Sequence, residues 1–126
     1  MTTGGSTYRR TRGYQLVYCK LLGAARDGRR VSYAEVSDIL GSLAADPDMI
    51  SDANQLLEEM SEDEHEAGRP MLTALVVTGK SIPGDVFFSV ARRLGRLASA
   101  DPAEEMKFWM AEERSVYDTW KPRIRD

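Results

Sequence analysis

Apolar residues are most concentrated in the middle of the chain, in the segment GRPMLTALVVTGKSIPG at residues 68–84. Six of the seven residues at 71–77 are apolar, and a continuous run of this length is typical of a strand that is covered on both faces. Glycine and proline stand on both sides of the run and mark loops. We therefore predict a short central strand, or a small sheet, at the centre of the core.

Elsewhere, apolar residues recur at three- and four-residue spacing, which is the period of an amphipathic helix. The pattern predicts five helices, at about residues 12–27, 33–41, 47–60 or beyond, 85–97 and 102–120. The acidic stretch SEDEHEAG, which follows the third of these, is interpreted as a solvated helix end or loop.

Start signals accompany four of the predicted helices. Ser32 and Glu35 have the spacing of a capping box, and Asp85 is expected to cap the fourth helix. Asp-Pro pairs at residues 46–47 and 101–102 supply an N-cap followed by proline in the first turn.

The predicted fold class is α+β and mostly helical, with about five helices around a short central strand or small sheet. A winged-helix-like arrangement is compatible with this prediction.

Length and composition indicate one globular domain. The chain has 126 residues, of which 42% are hydrophobic and 29% charged, and a chain of this size can bury a substantial core. Residues 1–7 are polar and rich in glycine, so we expect them to be disordered and residues 8–126 to form the domain. The single cysteine, Cys19, excludes an internal disulfide. Since no apolar run is long enough to cross a membrane, we expect a cytoplasmic protein.

Charge is strongly segregated along the chain, although the formal net charge is only −3. Residues 1–30 contain seven basic residues and one acidic residue, whereas residues 31–68 contain eleven acidic residues and no basic one. Such a chain either neutralises itself on folding or presents faces of opposite charge to different partners. The arginines that could together contact a nucleic acid are Arg9, Arg10, Arg12, Arg29, Arg30, Arg92, Arg93 and Arg96.

Two resemblances follow from particular motifs. The combination of GRPMLTALVV, PGDVFF and FWMAEERSVYDTW resembles a group of small bacterial proteins of uncharacterised function, and it implies no activity. GRRVSYAEVSDILG is similar to the opening of the winged-helix DNA-binding domain of DNA alkyltransferases and alkyltransferase-like proteins. The second resemblance implies a short helix followed by a recognition helix.

The chain departs from the alkyltransferase pattern at two important places. The Pro-Cys-His-Arg motif that supplies the nucleophile in that family has no counterpart near RPMLTALVV, which excludes alkyl transfer. The segment at the place of the recognition helix, DPDMISDANQLLEEM, carries Asp48, Asp52, Glu58 and Glu59 among its acidic residues and has no basic one, so phosphate repulsion opposes its docking on DNA. Asn54 and Gln55 could contact bases, but ordinary polar residues on a helix surface are the favoured interpretation.

Other candidate chemistry is weak. Gly-Lys-Ser at residues 79–81 resembles the end of a P-loop, but Ala74 stands where the motif requires its first glycine. The acidic run Glu62, Asp63, Glu64 and Glu66 lacks a calcium-loop pattern and is interpreted as a solvated charged face. We therefore predict no catalytic, cofactor or metal site.

Surface recognition is the remaining hypothesis. The loop after the central strand is apolar and is held by a rigid element, and aromatic residues and arginine often anchor interfaces. The aromatic residues of the last helix could instead pack against the helix before it. The candidate partner-contact residues are Arg69, Lys80, Ile82, Pro83, Asp85, Trp109, Tyr117 and Trp120. The favoured function is a non-enzymatic binding or regulatory module that acts through protein contacts, including self-association. The alternatives are nucleic-acid binding through the arginines and, third, a small enzyme of unknown reaction.

Overall fold

A computed structural model describes residues 8, 9, 11–43 and 49–122, and within these ranges the side chains of residues 42, 43 and 49–52 are not described. The disorder expected of residues 1–7, Arg10 and the start signal at residues 46–47 lie outside the described residues. The elements in order are α1 (Arg12–Asp27), β1 (Val31–Ser32), α2 (Tyr33–Leu43), α3 (Met49–Glu66), a 3-10 helix (Leu72–Leu75), β2 (Val76–Val77), α4 (Asp85–Arg93) and α5 (Pro102–Trp120).

The predicted fold class is confirmed: the described residues form five α-helices and one two-stranded sheet. The capping box is present, because the Ser32 N–H donates to Glu35 Oε1 at 2.9 Å and the Glu35 N–H donates to Ser32 Oγ at 3.1 Å. Asp85 does not cap α4. Gly84 is the N-cap residue and no side chain caps this terminus, so Asp85 is the first helical residue.

The central segment is buried as predicted, but most of it is not a strand. Every residue from Met71 to Val77 is buried, yet only Val76–Val77 is a strand and Leu72–Leu75 is a 3-10 helix. The segment packs against α1, α3 and α5. Because protein surrounds it on all sides, its apolar run has no period that could separate strand from helix.

The two strands are parallel, with Val31 opposite Val76 and Ser32 opposite Val77. Parallel strands end at the same edge of their sheet, so the residues that follow them become neighbours. Tyr33 follows β1 and Thr78 follows β2. An apolar cleft begins at this edge.

None of the helices in the described ranges combines the length and the apolar character needed to cross a bilayer.

Candidate binding cleft

A cleft of about 270 Å³ lies between α3, β2 and the first turns of α4. Its apolar floor is made by Leu57 of α3, Val76 and Val77 of β2, and Phe87 and Val90 of α4. These five side chains are all at least nine-tenths buried and also belong to the main core. At the floor of the cleft, the hydrophobic core therefore reaches the surface of the protein.

Polar side chains also line the cleft, and two of them, Ser61 and Thr73, are buried. The Tyr33 hydroxyl donates to Asn54 Oδ1 at 2.9 Å, and burial raises the pKa of Tyr33, which keeps this hydroxyl protonated. Ser61 Oγ lies 2.6 Å from Thr73 Oγ1 and also donates to the Leu57 carbonyl oxygen. These hydroxyl groups are satisfied by neutral partners within the protein.

The 78–84 loop borders the cleft and is held closed by hydrogen bonds. The Thr78 N–H donates to the Ile82 carbonyl oxygen at 2.8 Å, and Thr78 Oγ1 donates to the same oxygen at 3.0 Å. The Ser81 N–H donates to the Thr78 carbonyl oxygen. Ser81 has φ of 63°, a left-handed conformation that is costly for a residue other than glycine and persists where the surroundings enforce it. These hydrogen bonds therefore hold the 78–84 loop in a defined conformation along the edge of the cleft.

An acidic groove adjoins the cleft along α3. Asn54 and Glu58 line both, and the groove continues along Glu59 and Glu62 to Arg9. The groove is larger than the cleft, at about 460 Å³, and it is more open. Carboxylates therefore extend from the mouth of the cleft along one side of α3.

A short basic and aromatic segment already lies on this face of α3. The Tyr8 N–H donates to Glu59 Oε1 at 2.6 Å. The Arg9 guanidinium contacts Glu62 at 2.6 Å and Asp63 at 2.7 Å. The acidic residues of α3 thus hold a basic segment that is about fifty positions distant in sequence.

The predicted partner-contact residues divide into two groups. Lys80 and Asp85 are exposed beside the cleft, whereas Ile82 is half-buried against the core and Pro83 is buried. The other four residues lie away from the cleft lining. Trp109 is buried, and its Nε1 donates to the Ala74 carbonyl oxygen at 2.8 Å.

The remaining three of the predicted contacts are engaged within the protein. Arg69 forms two hydrogen bonds of 2.9 Å with buried Glu64, and its guanidinium lies 5.7 Å from the centre of the Trp120 ring. The Tyr117 hydroxyl donates to the Arg29 carbonyl oxygen at 3.2 Å. The structure therefore concentrates exposed candidate residues at the 78–84 loop and α4 rather than on the aromatic side of α5.

The predicted nucleic-acid contacts do not form one free basic face in the described ranges. Arg93 bonds to Glu58 and Glu62, and the hydrogen bond to Glu62 raises the pKa of Arg93. Arg12 is exposed on the first turn of α1. The other ion pairs are Arg9 with Glu62 and Asp63, Arg29 with Asp27, Arg30 with Glu113, Arg92 with Glu105, and Arg96 with Glu112.

The two amides considered for base contacts are also engaged. Asn54 Oδ1 accepts from the Tyr33 hydroxyl, and Gln55 Nε2 donates to Glu59 Oε2 at 3.1 Å.

Buried carboxylates are the residues that sequence reasoning missed. Glu64 is only 1% exposed, and Glu112 and Glu113 are also buried. The interpretation of the acidic run at residues 62–66 as a solvated face is therefore wrong for Glu64, because Arg69 forms an ion pair with it and the Tyr18 hydroxyl donates a hydrogen bond to it inside the molecule. A signal existed for Glu112 and Glu113. They stand between Trp109 and Val116 at helical spacing, and so on the apolar side of α5.

No family model, curated protein or solved structure matches the chain. Among the described residues, no group of three or more His, Cys, Asp or Glu side chains is arranged to hold a metal ion.

Proposed function

We propose that the protein is a non-enzymatic binding module that acts through protein contacts, and that the cleft beside the 78–84 loop takes an apolar side chain of the partner. The apolar floor that opens to the surface is the observation that carries this proposal. Core-like side chains form it, the sheet and two helices hold it, and a hydrogen-bonded loop borders it. Such a preformed site orders little on binding, which favours affinity.

The size of the cleft supports a side chain rather than a whole small molecule as its occupant. Sites for drug-sized ligands usually measure about 300–1,000 Å³, whereas this cleft measures about 270 Å³ and is partly open to solvent. An interface commonly depends on one or a few apolar anchors that fill pockets of this kind. The neighbouring exposed loop and helix surface supply area for the rest of such an interface.

Two alternatives have less support. Nucleic-acid binding needs cations that are free to replace counterions on phosphates, and most of the described candidate arginines are neutralised by α3 and α5. An enzyme that uses Ser61 would need a base on its hydroxyl, but Ser61 bonds to a carbonyl oxygen and to Thr73. Location in the cytoplasm stays a prediction from the sequence.

Gly84→Leu tests the proposed site. Gly84 lines the cleft with φ of −78°, which any residue adopts, and a Cβ there would meet Thr78 Cγ2 at an ordinary 3.6 Å. The added side chain should occupy the cleft mouth without disturbing the fold. Ser89→Leu is the matched control, because Ser89 is exposed on the same helix and does not line the cleft.

The measurement is selection of 12-residue peptides from a random display library on the unmodified protein, followed by titration of the selected peptides. We expect Gly84→Leu to weaken their binding at least tenfold and Ser89→Leu to leave it within twofold, with both variants melting near the parent. Equal binding to Gly84→Leu and the parent would overturn the proposal, as would a library that yields no peptide with Kd below 1 mM. Sedimentation of the same three proteins reports whether self-association uses the cleft.

A further inference from the structure

The charges around the cleft point to the chemistry of the partner. We infer that its occupant is a basic segment of another protein, in which a large apolar side chain enters the cleft and an adjacent lysine or arginine meets Glu58 and Asp85 at the mouth. This inference rests on the proposed function and adds the charge of the partner to it.

Carboxylates stand on both walls of the cleft. Glu58 comes from α3 and Asp85 from the first turn of α4. Asp85 is exposed and forms no ion pair with another described residue, and the side chain of Glu58 is 40% exposed. A cation at the mouth would therefore meet negative charge on two sides while its own stem covers the apolar floor.

The acidic groove extends this charge complementarity beyond the mouth. The residues lining the cleft and the groove include four carboxylates, on Glu58, Glu59, Glu62 and Asp85, and one guanidinium, on Arg9. Arg93 lies beside them and compensates part of this charge through Glu58 and Glu62. The surface remains net negative, so it attracts basic segments and repels acidic ones and nucleic acids.

The protein itself shows that this face accepts such a segment. Tyr8 and Arg9 lie on α3 through a backbone N–H and a guanidinium that meet three successive carboxylates of the same side, on Glu59, Glu62 and Asp63. A backbone N–H and a guanidinium from one segment are thus both held by the carboxylates of α3 next to the cleft. A basic partner segment would continue into the open volume of the groove, which measures about 460 Å³.

The test uses synthetic seven-residue peptides with one central phenylalanine, leucine or methionine, flanked on each side by three lysines, three glutamines or three glutamates. Backbone amide signals of Thr78, Val86 and the rest of the chain are followed by NMR during titration to millimolar peptide. We expect the lysine-flanked peptides to bind at least ten times more tightly than their glutamine-flanked counterparts, with glutamate-flanked peptides weakest. The lysine advantage should shrink when salt rises from 50 to 500 mM.

Charge variants locate the effect. Glu58→Gln combined with Asp85→Asn should reduce the lysine advantage at least fivefold without changing the affinity of glutamine-flanked peptides. Glu66→Gln combined with Asp118→Asn is the control, since it removes the same net charge from exposed positions outside the cleft and groove. Arg93→Gln should act in the opposite direction and increase the lysine advantage, because it releases Glu58.

The possible failures are distinguishable. If lysine- and glutamine-flanked peptides shift the cleft signals with equal affinity, the inference about charge is overturned and the proposed cleft function stands. If no peptide shifts the signals of the cleft residues, the proposed function falls as well. Lysine-flanked peptides that shift only the exposed surface of α3, or that respond equally to both double variants, would show diffuse electrostatic attraction and would also overturn the inference.

Discussion

Leu75 is one of the fully buried residues of the central segment. Its side chain is fully buried in the last position of the 3-10 helix, where α1, α3 and α5 converge. The neighbouring Ala74 carbonyl oxygen is held by Trp109, and the neighbouring Thr73 hydroxyl is held by Ser61. Since both backbone and side-chain contacts fix this segment, it has little freedom to collapse into a vacated volume.

Leu75→Ala should therefore lower the free energy of unfolding by about 2–5 kcal/mol, the cost of lost burial plus a residual cavity. Leu16→Ala is the control, because Leu16 is 41% exposed on α1 and its truncation should change the unfolding free energy by less than about 0.5 kcal/mol. Urea titration of both variants measures the difference. Equal midpoints for Leu75→Ala and the parent would mean that this segment is not the centre of the core.

Phe87 and Phe88 are adjacent aromatic residues whose burial cannot be inferred from their spacing in the sequence. Side chains of adjacent helical residues diverge by about 100°. From this spacing alone, Phe87 and Phe88 are not expected to be buried in the same core. Both are nevertheless buried, and their rings meet edge to face at 5.2 Å. Phe108 of α5 adds a third ring, 5.9 Å from Phe87. Protein therefore covers a wide arc of α4, which its own sequence does not reveal.

At the scale of elements, local sequence signals predict where helices begin, whereas contacts between residues distant in sequence determine the conformation of the central segment. The capping box of α2 and the Asp101 cap of α5 depend on neighbours within three residues, and both are present. The 3-10 helix was not predictable, because its conformation depends on partners such as Trp109, which lies 35 residues from Ala74. The acidic end of α3, up to Glu66, is paired with Arg9, Arg69 and Arg93, which are distant from it or follow it in sequence.

The capping box offers a test of how much the start of α2 contributes. Ser32→Ala should cost about 1 kcal/mol of unfolding free energy, since the Glu35 N–H loses its acceptor. Glu35→Gln keeps an acceptor for the Ser32 N–H but loses the contact of 3.3 Å with Lys20 of α1, so its cost should be smaller. The hydrogen bond from the Ser32 N–H lowers the pKa of Glu35. Unfolding curves of the two single variants and the double variant should show non-additive costs. Simple additivity would indicate that the two bonds act independently.

At the scale of the whole molecule, folding brings the acidic and basic stretches of the sequence into contact. Acidic α3 lies among arginines from the N-terminal segment, from residue 69 and from α4, so the two charged halves of the chain largely neutralise one another. The sequence allowed this outcome and the opposite one, because the pairs are separated by up to 83 residues. The cleft was hidden for the same reason: its residues come from three separate stretches, near 33, 54–61 and 73–90.

Two tyrosines of α1 connect this charge network to the global pH dependence of stability. The Tyr14 hydroxyl donates to Asp63 at 2.7 Å, and the Tyr18 hydroxyl donates to buried Glu64 at 2.9 Å. Burial, followed by the hydrogen bond to Glu64, raises the pKa of Tyr18 to about 12, and burial together with the bond to Asp63 raises the pKa of Tyr14 further. Ionising either hydroxyl would remove a donor and place a second negative charge beside a carboxylate.

The sign of the resulting pH effect follows from linkage. A tyrosine whose folded pKa lies above its unfolded value near 10 contributes its full stabilisation below pH 10, and this contribution is lost as the pH rises through the folded pKa. The unfolding free energy should therefore fall from about pH 10 to pH 12 by more in the parent than in the Tyr14→Phe/Tyr18→Phe double variant, which has no hydroxyls at these positions to ionise. Urea titrations at pH 8, 10, 11 and 12 measure both curves, and their difference removes the contribution of lysines common to both proteins. Parallel curves across this range would show that the two hydroxyl groups ionise as readily in the folded as in the unfolded chain, and that α1 is not tied to α3 through them.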